Sequence, residues 1–308
     1  MKSNSVGVVL VTFNRLNKLK IALKAYDEQS FKPEYIIIVN NNSTDGTTEY
    51  LHEWNSIPSE SCKHIINLDK NVGGSGGFYE GLKRALDLNA DWIWVADDDA
   101  YPDTSAIEIA DEIIKDKTIV NDQVSAICGS VIDDGKIDCL HRKRIFAKAL
   151  NIHEVPVSIE EYKSKYFELQ LFSYVGTIIN KKFLKLVGLP KKDYFIYYDD
   201  TEHSMRLAEK GKILCFPAIK ITHNHEANIS TTWKTFYFWR NRLDFYKIYF
   251  PKKVYYSIIL NQIWKIFIHI LLNRKVEKYK MRWESLKSAY KGKLGLDETY
   301  KPGWTPNK

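Results

Sequence analysis

"WIWVADDDAYPD", residues 92–103, runs five apolar residues straight into three aspartates. An apolar run this short predicts a β-strand buried on both faces. In open α/β sheets, ligands collect at the carboxyl ends of the strands, so Asp97, Asp98 and Asp99 are expected at a working edge. Reading outward, VGVVLVT (6–12), YIIIV (35–39), HIINL (64–68) and AICGSVI (126–132) repeat the pattern. Between them lie segments with helical spacing: Leu16, Leu19, Leu23 and Tyr26, then Tyr50, Leu51 and Trp54, then Leu82, Ala85 and Leu86. Strand and helix in alternation predict a doubly wound, parallel sheet with right-handed crossovers. The charged stretch 133–170 reads as loop or lid. ILCF and IKIT (213–216 and 219–222) read as a short strand pair around Pro217, and residues 232–291 as helices.

A chain of 308 residues, 44% hydrophobic, can bury one large core or two modest ones. Its four cysteines are scattered without a Cys-x-x-Cys pair, which excludes a disulfide framework or zinc knuckle and suits a reducing compartment. The first residues read as a strand and not a signal peptide. The net charge of +7 is unevenly spread: residues 233–293 hold 15 Lys and Arg against 3 Asp and Glu, which leaves an acidic body. Such a tail points to a polyanion or an anionic membrane surface.

Polar residues line up at the ends of four successive strands: Thr12, then Asn40–Asn42 with Asp45, then Asn71 and the glycines, then the aspartates. Residues i and i+2 of an extended end face the same way, so Asp97 and Asp99 are expected to present carboxylates together. Adjacent carboxylates repel unless a cation lies between them, and a divalent metal holding a diphosphate meets that need. "NVGGSGGFYEG" (71–81) packs four glycines into five positions before a helix. It lacks the Lys-Ser/Thr pair of a P-loop and arrives too late for a dinucleotide fingerprint. In "FIYYDDTEHSMRL" (195–207), aromatic residues run into Asp199, Asp200 and Glu202. A carboxylate partly desolvated among tyrosines suits general-base work, though an N-cap accounts for the same residues. In "ITHNHE", His223 and His225 alternate, so one of them faces the acidic edge.

These motifs together resemble the inverting GT-A glycosyltransferases of family 2. "NVGGSGGF", "DDDAYPD", "YYDDTEHSMRL" and "YFWRN" (237–241) are most similar to the bacterial galactofuranosyltransferases, over residues 6–245. The resemblance implies a GT-A catalytic domain over 1–230, with a nucleotide-sugar half to about 125 and an acceptor half beyond. A basic, aromatic, helical region, 231–308, follows. It further implies that Thr12, Arg15, Asn40 and Asn42 hold the nucleotide, and that Asn71, Gly73, Gly74, Ser75, Gly76 and Gly77 pass under the donor, with Asp97 and Asp98 beside it. Asp97, Asp99 and His223 would bind Mn2+ or Mg2+. Asp200 would be the general base, Asp199 and Glu202 would position the acceptor or base, and Trp239, Arg240 and Asn241 would lie near the acceptor entrance. Asn40 departs from the family, where many relatives carry an aspartate.

The implied reaction moves galactofuranose from UDP-galactofuranose to a glycan acceptor, lipid-linked in surface polysaccharide assembly. A rhamnosyl or other hexosyl transfer from a dTDP- or UDP-sugar is the nearest alternative. In "VYYSIILNQIWKIFIHILL" (254–272), Ser257, Asn261, Lys265 and His269 recur every four residues and form one polar stripe on an apolar helix. That reads as a helix lying in an anionic membrane interface, on the cytoplasmic face, with packing on the body as the alternative. A nucleic-acid-binding tail is the remaining reading, against which stand the acidic body and the row of carboxylates.

Overall fold

The computed structural model describes residues 5–224, 232–272 and 276–306. Among them the chain runs β1 (Val6–Thr12), α1 (Leu16–Asp27), β2 (Tyr35–Asn40), α2 (Thr47–Ser56), β3 (Cys62–Asn67), α3 (Gly73–Leu86), β4 (Trp92–Asp97) and β5 (Ala100–Pro102). Then come α4 (Ala106–Lys115), β6 (Val124–Asp133), β7 (Lys136–Ile137), β8 (Arg142–Lys148), β9 (Asn151–Pro156), β10 (Phe167–Leu169), β11 (Leu171–Phe172), β12 (Thr177–Asn180) and α5 (Lys181–Val187). The chain closes with α6 (Asp199–Lys210), β13 (Lys212–His223), α7 (Trp233–Tyr249), α8 (Lys252–Leu271) and α9 (Val276–Tyr290).

The main sheet has the order β10-β13-β6-β12-β4-β1-β2-β3. Strands β1 to β4 pair in parallel, as does β13 with β6. The sheet is mixed, however, because β12 lies antiparallel between β4 and β6. Period-2 alternation divides the buried residues between two faces. Val8 and Leu10 pack with Leu19, Leu23 and Trp54, whereas Val9 and Val11 pack with Phe78, Leu82 and Leu184.

Two sequence expectations are corrected. ILCF and IKIT belong to one strand, β13, whose register slips between Cys215 and Lys220. Pro217 has no N–H for the ladder, and the Ser130 hydroxyl donates instead to the carbonyls of Pro217 (2.9 Å) and Ile219 (3.3 Å). The stretch 133–170 is not loop or lid: β8 and β9 form an antiparallel hairpin that joins β11 in a second sheet. Its charge reflects strands with one wet face. The hairpin is anchored by Arg142, which is fully buried and donates to the carbonyls of Gly129 (3.1 Å), His141 (3.0 Å) and Val175 (2.7 Å).

Helix α7 packs against the segment leading into α6. Tyr194 and Tyr198 share a core with Leu243, Phe245, Tyr246 and Ile259. The boundary expected near residue 230 lies outside the described residues. No helix among those described is long and apolar enough to cross a membrane.

Candidate active site

Strand β4 ends at Asp97, and Asp98 and Asp99 form a turn before β5, so the i, i+2 reasoning for an extended end fails. The turn gathers all three acids around cations instead. Arg15, at the start of α1, places Nη1 3.1 Å from Asp98 Oδ1 and 2.8 Å from Asp99 Oδ2. The Thr12 hydroxyl donates to Asp98 Oδ2 at 2.7 Å. Asp99 also faces His223 Nε2 (3.5 Å) at the end of β13 and Lys18 Nζ (3.5 Å). Burial raises all three carboxyls. Asp97, with Asp99 and Asp98 adding like charge, is pushed up to about 7, and Asp98 up to about 6. At Asp99, burial is outweighed by His223, Arg15 and Lys18, which hold it down at about 2.

Thr12, Arg15, Asn71, Gly73, Gly74, Asp97 and Asp98 line one cleft of about 170 Å3. Asn41, Phe195, Ile196, Trp233, Lys234 and Pro302 complete it. The asparagine turn is corrected by one residue. Asn40 is buried, donating to Thr48 Oγ1 (2.9 Å) and Asn67 Oδ1 (3.0 Å), and Asn42 is exposed in a left-handed conformation. Asn41 meets the cleft, donating to Asn71 Oδ1 (3.1 Å) and the Gly73 carbonyl (3.0 Å).

The glycines divide by role. Gly73 has φ +77° and lies under Phe195, whose carbonyl would stand 1.9 Å from an added Cβ. Gly76 and Gly77 pack within the protein, against Val72 and Val11. Only Gly74 combines open space with a place in the cleft wall. Ser75 is buried beside Asp199, and its N–H donates to the Phe195 carbonyl at 3.2 Å.

Asp200 lines a second cleft of about 320 Å3 with Lys143, Glu154, Tyr197, Tyr198, Thr201, Phe238 and Arg242. Burial raises its carboxyl, opposed by the Thr201 N–H (2.6 Å) and the Lys143 ammonium. Asp199 turns toward Ser75 and Asp97, and burial beside Asp200 pushes it well above the usual carboxylate range. The segment between the clefts is wound unusually: Phe195 (φ +66°), Tyr197 (+66°) and Tyr198 (+69°) are all left-handed without being glycine. Three carbonyls of this segment, those of Tyr194, Ile196 and Tyr197, accept from Asn241 Nδ2 at 2.9 Å each. Arg240 adds the carbonyls of Tyr194 (3.1 Å) and Gly295 (2.7 Å).

Arg240 and Asn241 are thus buried clamps on the segment between the clefts, and neither is at an acceptor entrance. Trp239 faces Arg282, 4.0 Å from its ring, away from Asp200. Glu202 is equally engaged: its carboxylate accepts from Arg206 (2.8 Å) and the Tyr249 hydroxyl (2.9 Å), tying α6 to α7. Phe238 and Arg242, one helical turn apart, are the α7 residues that reach the second cleft. His225 lies outside the described residues. Among those described, no three His, Cys, Asp or Glu side chains are gathered closely enough to hold a metal as they stand.

Comparison with known proteins places this geometry. Residues 7–183 match the family model "Glycosyl transferase family 2". The chain is 27% identical over 207 residues to the galactofuranosyltransferase GlfT1 of Mycolicibacterium smegmatis, covering 67% of this chain and 66% of that protein. It is 26% identical over 226 residues to the dTDP-rhamnosyl transferase RfbF of Shigella flexneri, covering 72% of this chain and 70% of that protein. The aligned region thus spans just under two thirds of the mycobacterial relative's length. Among solved structures, the fold is similar to S. aureus TarS 1–349 in complex with UDP (TM-score 0.55, 14% identity, 78% of this chain and 65% of that one). It is also similar to the Pyrobaculum calidifontis mannosyltransferase PcManGT in complex with GDP-Man and Mn2+ (TM-score 0.56, 14% identity, 93% of this chain and 75% of that one). The chain belongs to glycosyl transferase family 2 and carries a GT-A-like fold.

Proposed function

We propose that this protein transfers galactofuranose from UDP-galactofuranose to a hydroxyl of a glycan acceptor, with inversion at the anomeric carbon. The observation that carries this reading is that residues 195–198, which lead into Asp199 and Asp200, wall two clefts, Phe195 and Ile196 the first and Tyr197 and Tyr198 the second. One cleft holds the strand-end acids, Arg15 and Gly74; the other opens on Asp200. The donor occupies the first cleft and the acceptor the second. Asp200 takes the proton from the acceptor hydroxyl, whose oxygen bonds to the anomeric carbon. The bond from that carbon to the diphosphate breaks, and its electron pair leaves with UDP. General-base assistance of this kind is worth about 10²–10⁴ in rate.

The carboxylates of Asp97 and Asp99 and the imidazole of His223 are ligands suited to Mn2+ or Mg2+. Burial, with Asp99 and Asp98 close by, raises the carboxyl of Asp97, and a divalent cation bound beside it would oppose that rise. When bound there, a divalent cation neutralises charge on the diphosphate. Asn41 and Thr12 orient the donor from one wall, while Tyr197 and Phe238 offer ring faces to the acceptor sugar.

Similarity to a galactofuranosyltransferase favours the furanose donor, and similarity to a dTDP-rhamnosyl transferase makes dTDP-rhamnose the second reading. Titrating the full chain with UDP-galactofuranose, UDP-galactopyranose and dTDP-rhamnose, with and without Mn2+, tests this. Nucleotide release that is metal-dependent and fastest with the furanose supports it, whereas preference for dTDP-rhamnose replaces it with the second reading.

We further infer a peripheral site on an anionic membrane, on the cytoplasmic face, which suits a lipid-linked acceptor. Val254, Tyr255, Ile259 and Ile266 of α8 pack inward, while Tyr256, Leu260, Trp264, Phe267 and Leu271 are exposed on the opposite side. An exposed apolar face within a strongly basic segment fits a lipid interface.

A further inference from the structure

Among the described residues, Arg15 and Lys234 are the cations that line the first cleft, and they are unequally committed. Arg15 is drawn to Asp98 and Asp99, so much of its charge already serves protein carboxylates. Lys234 enters from the facing wall, in the first turn of α7, beside Trp233, whose ring centroid lies 5.8 Å from Nζ. Among the described residues, no carboxylate comes within ion-pair distance of Lys234. Asp97 and Asp99 act on it only from farther off, while burial and the like charge of Arg15 lower its proton affinity. A half-buried ammonium without a close counterion carries a desolvation cost that an anionic ligand in the cleft would offset. Neither the strand-end pattern nor the family comparison, whose match ends at residue 183, assigns this residue.

Resting on the reading of this cleft as a sugar-nucleotide site, we propose that Lys234 is a protein-supplied cation for the donor's diphosphate. It contacts the phosphate oxygens that depart with the nucleotide. The ammonium keeps its proton throughout, and the electron pair released by the breaking carbon–oxygen bond stays on the phosphate facing it. An ammonium is a point charge with rotatable donors and serves phosphate well; an arginine there preserves the charge. Because the charge on the leaving group grows as the bond breaks, Lys234 also contributes to turnover.

Full-length wild type, Lys234→Met, Lys234→Gln and Lys234→Arg are compared for binding of UDP and of uridine at fixed Mn2+, with thermal melts alongside. The thymine compounds dTDP and thymidine serve as a second pair. The expected result is a loss of about 10- to 100-fold in diphosphate affinity for Met and Gln, the range set by one charge-assisted contact. Nucleoside affinity and melting temperature stay unchanged, and Arg retains most of the diphosphate binding. Equal loss for nucleotide and nucleoside, or no loss for either, overturns the assignment. If wild type binds neither pair, the reading of the cleft itself fails and this assignment falls with it.

Discussion

The glycine run offers a test that separates packing from ligand access at two positions three residues apart. At Gly77, an alanine Cβ would lie 2.5 Å from Val11 Cγ1 and 3.3 Å from Val11 Cγ2, against about 3.5–4.0 Å for ordinary carbon contacts. Val11 is buried on β1 and branched at Cβ, so its methyls have no other rotamer to adopt cheaply. Overpacking of this kind costs about 1–3 kcal/mol, and the better helix propensity of alanine returns about 0.5–1 kcal/mol. The net is about 0–2.5 kcal/mol, and a contact as short as 2.5 Å puts Gly77→Ala toward the upper end, clearly less stable than wild type. At Gly74 nothing lies within 4 Å of the added Cβ, so Gly74→Ala keeps or slightly gains stability. Its methyl occupies donor space, and UDP binding weakens. Urea unfolding followed by tryptophan fluorescence gives both stabilities from the midpoints at a common slope, and a UDP titration gives the affinities. The reasoning is refuted if Gly77→Ala unfolds at the wild-type midpoint. It is refuted equally if Gly74→Ala loses stability while binding UDP normally.

Three further outcomes are expected. Asn241→Ala leaves the carbonyls of Ile196 and Tyr197 without their side-chain donor, while Arg240 still serves that of Tyr194, and unsatisfied buried groups cost about 1–3 kcal/mol. A lower melting temperature, with turnover falling further than UDP affinity, would show that the clamp positions Asp200. Lys143 opposes the burial-raised affinity of Asp200 for its proton, so Lys143→Met raises that carboxyl further. Since the base acts only when ionised, the acid limb of the kcat/KM profile should move to higher pH. An unmoved limb would remove Lys143 from the site's electrostatics. On α8, the double change Leu260→Glu and Phe267→Glu places two carboxylates on an exposed apolar face. Co-sedimentation with anionic vesicles should fall strongly while UDP affinity holds, and undiminished pelleting would refute the membrane role. Deleting residues 233–308 instead would strip Trp233, Lys234 and Pro302 from the first cleft and Phe238 and Arg242 from the second, confounding the two effects.

Strands β1, β2 and β4 are legible because each is buried on both faces and so reads as an unbroken apolar run. The hairpin 142–156 was not legible. Burial in β8 falls from Arg142 to three exposed residues at its end, and "RKRIFAK" looks like charged loop until the second sheet exists. That hairpin supplies Lys143 and Glu154, so two of the eight residues lining the second cleft are hidden with it. Among three consecutive asparagines, sequence could not single out Asn41, because the left-handed turn at Asn42 decides which side chain meets the cleft. On α7 the motif itself does not give the helical phase. Aromatic and charged residues surround the helix, and only its packing shows that Arg240 and Asn241 face inward while Phe238 and Arg242 face Asp200. The acids were found, but the i, i+2 reasoning assumed a strand that in fact stops at Asp97.

Asp200 lines the second cleft, beside the segment that walls the first, and Asp200→Asn tests its role most directly. The substitution keeps the shape of the side chain and removes the base. With donor, Mn2+ and a glycan acceptor, the variant should bind the nucleotide sugar as wild type does while transfer falls by about 10²–10⁴. Transfer near the wild-type rate, or loss of donor binding together with turnover, would contradict the assignment of Asp200 to the acceptor cleft.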